Sequence, residues 1–402
     1  MRILLITETV PYPLDSGGRI KTWHTLRALA REHDVHCHAF ARSEAQRDAA
    51  RGPLSAVCAS VTLHLVPRSL SGEAAHALRG LALGLPITVA RHFSGRVMRR
   101  VEAACREHRI EALYCDHLSM LEYGRRLPLP IVHDSHNVEH RIVQRYAESL
   151  PRRDPRRVLF AHEAWRLRAY ERRMFPKCSL IFAVSEVDGA SIASIVPRVP
   201  VRAVPIAVDA RALAPVDRIT DAPEVLFVGP QDWPPNADAV SYFITEIWPA
   251  VHRKVPGARL TVVGRSGAGV RSQWRTDASL RFTGWVEDVE PYVQGSRVMV
   301  VPLRSGSGMR VKILDAFSRG IPVVATSIGM EGISAVDNEH ALVADSPSAF
   351  AEATVRVLQH RMLAEGLARA ARELVLASYD TAAVGTLQLE ALRQFAARTR
   401  AT

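Results

Sequence analysis

Short apolar runs of strand length alternate with amphipathic segments along the whole chain, and the pattern starts twice. In the first half RILLIT (2–7), VHCHAFA, VTLHLVP, ALYCDH and PIVHDSH are separated by helical stretches such as 17–32, where Ile20, Trp23, Leu26, Leu29 and Ala30 share one face. Such alternation predicts βαβ units on a parallel sheet, because parallel neighbours need a crossover that a helix supplies. Residues 141–176 read as a long arginine-rich helical region with a proline break near 151–155. LIFAVSEVD follows, and VRAVPIAVDARALAP leads into a proline-containing connection. The pattern then restarts with EVLFVGP, ARLTVVG, LRFTGWV, RVMVVPL, IPVVATS and HALVAD, with long helices expected over 235–252, 309–319 and 347–377. A chain of 402 residues exceeds one comfortable core. Two α/β domains are therefore expected, 1–210 and 211–375, with 376–402 a helical tail packing back on the first. Ligands of doubly wound sheets gather at the carboxyl ends of the strands, and two such domains facing one another would leave a cleft for them.

Charge separates the halves. Residues 1–210 carry 31 Lys+Arg against 21 Asp+Glu, whereas the remaining 192 carry 21 against 20. The first half is thus expected to meet something anionic: a lipid-phosphate acceptor, an anionic bilayer or nucleic acid. Arg152, Arg153, Arg156, Arg157, Arg166, Arg168, Arg172 and Arg173 lie close together in it. No nucleic-acid motif or aromatic-basic interleaving accompanies them, which disfavours the last partner. No apolar stretch nears the roughly 20 residues that span a bilayer. The first apolar run is interrupted by Glu8 and reads as a strand, not a signal segment. Five cysteines (Cys37, Cys58, Cys105, Cys115 and Cys178) show no metal-ligand spacing, and their odd number fits a reducing cytosol. A cytoplasmic protein, at most peripheral at the inner membrane face, is expected.

Candidate chemistry falls in three places. In PYPLDSGGRIKTWH, Gly17 and Gly18 lie between the first strand and helix, where backbone N–H groups and the helix amino terminus suit a phosphate. No P-loop sequence occurs. YCDHLS and HDSHNVEH each follow a predicted strand and set Asp116, His117, His136 and Glu139 at strand ends. The second could hold a metal, but its spacings are loose and no Asp-x-Asp occurs, so no metal is expected. In SGSGMRVKILDAF, Gly308 precedes Arg310 and Lys312 at a helix start, an unfavourable place for cations unless an anion binds there. Asp315 follows about a turn later, placed for ribose hydroxyls. This loop suits a sugar nucleotide.

FVGPQDWPPNADAVSYF, RLTVVG, FTGWVEDVEPYV, VPLRSGSGMRVKILDAFSRGIPVVATSIGMEGI and HALVAD follow one another as in glycosyltransferase family 4 enzymes, and PYPLDSGGRIKTWHTLRALA, HDSHNVE and FAVSEVD extend the resemblance over almost the whole chain. It looks closest to the branch associated with bacterial exopolysaccharide synthesis. The resemblance implies a GT-B fold of two Rossmann-like domains and a nucleotide-sugar donor held mainly by the carboxyl domain. It also implies transfer with retention of configuration, no required metal and no cofactor, to a glycan or lipid-linked acceptor. It places Gly229, Trp285, Gly308, Arg310, Lys312, Asp315 and Glu331 around the donor. Trp285 would lie beside the base, Asp315 on the ribose and Glu331 near the sugar or phosphate. Two departures stand out: the family's Glu-x7-Glu signature is here Ser307-x7-Asp315, and PQDWPPN replaces the usual arginine and lysine after FVG. A non-catalytic sugar-nucleotide-binding subunit, a sugar-nucleotide epimerase and a phosphorylase on the same fold are the alternatives. The last would need a pyridoxal lysine, and the chain has only Lys21, Lys177, Lys254 and Lys312.

Overall fold

The computed structural model describes the chain except residues 67–79, 81, 217–219, 266–273, 275–276, 307 and 402 and the side chains of 149 and 399–401. Two compact units form, Met1–Ala207 with Val384–Thr402, and Val208–Ala383.

The first unit runs β1 (Arg2–Thr7), α1 (Gly17–Leu29), β2 (Asp34–Ala41), α2 (Glu44–Ser55), β3 (Ser60–Leu65), α3 (Ile87–His92), α4 (Gly95–Glu107), β4 (Ala112–Asp116), α5 (Leu121–Gly124), β5 (Ile131–Ser135), α6 (Glu139–Ser149), α7 (Pro155–Met174), β6 (Leu180–Ala183), α8 (Glu186–Ile195) and β7 (Val201–Ala203). Its parallel sheet has the order β3-β2-β1-β4-β5-β6-β7. Both faces are covered, which explains why the strands read as unbroken apolar runs. Leu4 and Ile6 enter one core cluster, whereas Ile3 and Leu5 enter the other. The register sets Thr7 of β1 beside Asp116 of β4, and Asp116 beside Asp134 of β5. The residues after these three positions therefore emerge side by side at the sheet's carboxyl edge.

The region 141–176 forms two helices. Pro151 falls in the break, and α7 restarts with Asp154 accepting from the Arg156 backbone N–H at 2.9 Å and Pro155 in its first turn.

The second unit runs β8 (Glu224–Val228), α9 (Pro234–Tyr242), α10 (Trp248–Lys254), β9 (Arg259–Val263), β10 (Leu280–Gly284), α11 (Glu290–Gln294), β11 (Val298–Val301), α12 (Val311–Ser318), β12 (Val323–Ala325), α13 (Ser327–Met330), β13 (Leu342–Val343), α14 (Pro347–Gln359) and α15 (Arg361–Ser378). The sheet order is β10-β9-β8-β11-β12-β13, again parallel. The expected helix over 347–377 is broken at His360, whose backbone is extended (φ −110°, ψ 95°). An unbroken helix of that length would run about 45 Å, far beyond the short strands it must cover. The helix expected over 235–252 instead continues through a π-turn at Phe243–Ile247 to Lys254. A final helix, α16 (Thr381–Ala401), returns to the first unit, where Val384, Leu392 and Phe395 enter the core cluster holding Ile3 and Leu5.

Candidate active site

At the carboxyl edge of the first sheet four acidic and basic side chains converge. Asp116, fully buried at the end of β4, lies 2.7 Å from His136 Nε2 through Oδ1. Its Oδ2 accepts from Thr22 Oγ1 at 2.7 Å and lies 3.1 Å from His117 Nδ1, an ion-pair contact without hydrogen-bond alignment. The two imidazole rings sit 3.8 Å apart, centroid to centroid. Glu8, the residue after β1, lies 4.0 Å from His117 Nε2 and 3.6 Å from His92 Nδ1, and it accepts from Ser119 Oγ at 2.7 Å.

The charges of this cluster are set by its own members. Burial alone would lower His117, yet the carboxylates of Glu8 and Asp116 raise it to about 10, so it is an imidazolium at neutral pH. Burial opposes ionisation of Glu8, but His117 and His92 overcome it and bring the carboxyl down to about 2. His136 is lowered by burial and by the charge on His117. Glu139, at the start of α6, is raised to about 7 by burial and by Glu8.

Gly18 closes this site from α1. A Cβ built on it would meet His136 Nδ1 at 3.7 Å and His117 Nε2 at 3.8 Å, so the missing side chain leaves the imidazole pair approachable from the helix start. The first turns of α1 are fixed by two buried ties: Thr22 to Asp116, and Lys21 to Asp134. Asp134 also accepts from Tyr114 OH at 2.6 Å, which in turn accepts from Gln388 of α16 at 2.7 Å.

His117 has φ 77° and ψ 151°, a backbone conformation that non-glycine residues rarely adopt. Its carbonyl and amide are held there by the His117 N–H to Asp134 O bond of 3.1 Å and the Met120 N–H to His117 O bond of 3.1 Å. His117→Gly and His117→Ala lose the same side-chain pairings, but glycine adopts this φ freely. In urea unfolding the glycine variant is expected to be the more stable by about 1 kcal/mol or more. Equal midpoints would show that the backbone carries no strain.

The second unit gathers a different set. Gly229 follows β8 at φ 155°, and a Cβ there would lie 2.6 Å from both Lys312 Nζ and Asn236 Nδ2. Lys312 donates to Asn236 Oδ1 at 3.0 Å, and its ammonium lies 4.6 Å from the centroid of the Phe227 ring. Burial and the neighbouring Arg310 lower Lys312 to about 7. Arg310 is itself buried and stands at the residue preceding α12, close to Gly306, where a Cβ would stand 2.8 Å from its Nη2. Gly308 has φ 80° in the same loop.

Asp315 has other company. Its Oδ2 accepts from Arg319 Nε at 3.0 Å, one turn along α12, and Arg319 also pairs with Glu290. Trp285, after β10, is 70% exposed, and Glu331 ends α13 with its N–H directed to Ile328 O at 3.4 Å. Ser307 lies outside the described residues.

Gly18, Asp116, His117 and His136 thus form one cluster with Glu139 in electrostatic reach, and Gly229, Arg310 and Lys312 form another. Sequence reasoning missed Glu8, Thr22, Lys21 and Asn236. Glu8 carried a usable signal, since it is the first residue past a strand's carboxyl end. In the first cluster, ligand atoms of Asp116, His117 and His136 lie within 4.8 Å of one another, as a metal would require. Their present pairing already balances the charge of Asp116.

Residues 222–360 match the family model for glycosyl transferases group 1. An uncharacterized 44.6 kDa protein in the cps region of Klebsiella pneumoniae is 24% identical over 165 residues, spanning 39% of this chain and 42% of that relative's length. Among solved structures, sucrose-phosphate synthase from Thermosynechococcus elongatus superposes with TM-score 0.74 at 18% identity, covering 99% of this chain and 100% of the other. Anabaena Alr3699/HepE, solved in complex with UDP-glucose, gives TM-score 0.67 at 13% identity over 98% of this chain and 100% of the other. The chain has the GT-B fold, two Rossmann-like α/β units, and its second unit carries the match to the group 1 glycosyl transferases.

Proposed function

We propose that this protein is a retaining, metal-independent glycosyltransferase that uses no cofactor. In this reading it moves a sugar from a nucleotide-sugar donor to a glycan or lipid-linked acceptor in bacterial cell-surface or exopolysaccharide synthesis. It works in the cytoplasm, in peripheral contact with an anionic membrane. The observation that carries the reading is the pair of cations at the start of α12. Burial and the adjacent Arg310 lower Lys312 to about 7, and the neutral amide of Asn236 is the hydrogen-bond acceptor of the lysine. Two like charges held together in a protein interior are relieved by a polyanion, and a diphosphate carries enough charge to recharge Lys312. The family match covers this region, and the Anabaena structure of the same fold binds UDP-glucose.

The first-unit cluster would face the reacting sugar. His117, being protonated, is a hydrogen-bond donor there and cannot stabilise a developing positive charge. That role passes to the carboxylates of Glu8 and Asp116. The departing diphosphate would act as base toward the acceptor. Asp315 reaches a ribose only by sharing its carboxylate with Arg319.

Calorimetric titration with UDP and a panel of nucleotide sugars tests the reading. Lys312→Ala is expected to weaken the best ligand about 10- to 100-fold, the usual worth of a hydrogen bond to a charged group. Chelators should leave transfer unchanged. Unaltered affinity in Lys312→Ala would remove the assignment. A second reading, donor binding without transfer, is favoured by Asp315 being tied to Arg319 where the resemblance expects a donor contact. Binding with neither transfer nor donor hydrolysis would select it.

A further inference from the structure

We propose that the outer face of α7, with the groove between α6 and α7, docks on an anionic lipid bilayer. The inward stripe of α7 is ordinary core, with Ala164, Leu167, Tyr170 and Met174 buried. A second apolar stripe runs along the opposite side through Val158, Ala161, Trp165 and Ala169, at the i, i+3, i+7, i+11 spacing of one helix face. Val158 is 74% exposed and Trp165 is 65% exposed, with Leu159 beside them at 56%. Trp165 keeps this exposure although its ring stacks on His162 at 5.8 Å, and large apolar side chains exposed along one helix face mark a binding surface.

The charge pattern says what kind of surface would cover it. Both carboxylates of α7 point inward. Glu171 is fully buried and paired with His140, and Glu163 accepts from the Ile87 backbone N–H at 2.6 Å. Arg166 turns inward to Glu163 and Gly80 O, whereas Arg168, Arg172 and Arg173 are exposed, as are Arg152 and Arg153 in the preceding turn. Of the acids beside this run, Asp154 pairs with Arg156, and the exposed Glu148 on α6 accepts from Gln144 Nε2 at 2.9 Å. An apolar stripe with a tryptophan, flanked by long cationic side chains, is complementary to the headgroup boundary of an anionic leaflet. Beside it lies a groove of about 380 Å³ lined by Ala147, Ala161, Ala164 and Trp165 together with His140, Gln144, Glu148, Arg157 and Arg168. Its lining combines four apolar side chains with two arginines against one glutamate, a net positive groove with apolar surface that suits a lipid's chain and phosphate together.

This inference rests on the functional reading above only for its lipid-linked acceptor; the surface itself is independent of the donor site. The test uses the full chain with vesicles of phosphatidylcholine alone or with phosphatidylglycerol added. Sedimentation with the anionic vesicles is expected at low salt, weakening about tenfold or more as salt screens the arginines. Brominated lipid should quench tryptophan emission, and the quenching should vanish in Trp165→Phe while binding remains. Val158→Ser with Trp165→Ser, or glutamine at Arg157, Arg168, Arg172 and Arg173, should reduce vesicle binding at unchanged nucleotide affinity. Failure to bind anionic vesicles, equal binding to neutral ones, or quenching that survives Trp165→Phe would each overturn the proposal. So would retention of RNA or heparin through the same arginines without vesicle binding. Vesicle binding without nucleotide-sugar binding would sink the functional reading and leave this surface standing. Transfer to a soluble glycan without vesicle binding would do the reverse.

Discussion

Replacing Asp116 with asparagine is expected to lower turnover by at least about a hundredfold, with donor affinity little changed. Asp116 contacts both imidazoles and Thr22, so it sets the charge of His117 and the position of His136 together. Groups that position reacting partners cost orders of magnitude in rate when lost. Without the Asp116 carboxylate, Glu8 and the weaker influence of Glu139 are left to support the imidazolium, so the His117 titration moves down from about 10. The alkaline limb of the activity profile should therefore shift to lower pH. That readout separates a local electrostatic role from mere unfolding. Asp116→Ala is the harsher change, because it leaves a charged histidine enclosed with no partner on that side. Breaking a buried pair in this way costs about 3–5 kcal/mol of stability. Asparagine keeps the shape and should fold, as circular dichroism can confirm. Asp116→Asn with turnover within about threefold of the unaltered protein would remove the cluster from the mechanism.

The site was legible where chemistry sits at a strand end. Asp116, His117 and His136 follow buried runs, and parallel strands in register must present such residues together, so alternation plus the carboxyl-end rule sufficed. Glu8 obeys the same rule, but within an apolar run it reads as an interruption. Lys21 and Asp134 were illegible for another reason. Helical periodicity records which residues face the core, and a lysine on that face gives no hint of a carboxylate on β5. The competing partner of Asp315 was open to view, since Arg319 stands four residues on, the spacing at which helix side chains meet. Asn236 was hidden because PQDWPPN drew attention as a loss of cations; folded, it supplies the amide that holds Lys312. The two-sheet architecture came from pattern alone, whereas the break at His360 depends on how far a helix may run past its sheet.

On acidification from pH 7 to pH 5, three buried histidines are expected to take about 4–6 kcal/mol from the fold, a large share of an ordinary domain's stability. His38, His64 and His133 are buried at 2%, 2% and 0% exposure. Burial, with neighbouring positive charge at the first two, lowers them to about 3, 4 and 4. The geometry agrees. His64 Nε2 and His38 Nδ1 share one hydrogen bond of 3.2 Å, so one ring must accept. His133 gives Nδ1 to Cys115 O at 3.0 Å, and its Nε2 has no partner among the described residues. For groups whose folded pKa is depressed, the unfolded chain binds protons first. The stability they allow is whole above about 6.5 and is lost as pH falls toward 4. Each group costs about 2 kcal/mol by pH 5, and less for the second member of the His38–His64 pair. His117, raised to about 10, stays protonated in the fold and returns less than about 1 kcal/mol as its unfolded form takes up a proton near 6.5. Glu8, lowered to about 2, costs stability only once the unfolded carboxyl protonates near 4.5. In the same window Glu139, raised to about 7 by burial and by Glu8, and Asp315, raised to about 6 by burial, bind protons first in the fold and return part of that loss. Urea midpoints at pH 7 and pH 5 measure the effect. His64→Phe, packing toward Phe40, should lose distinctly less on acidification than the unaltered chain. An equal loss on acidification in His64→Phe and in the unaltered chain would mean that this pair titrates as it does in water.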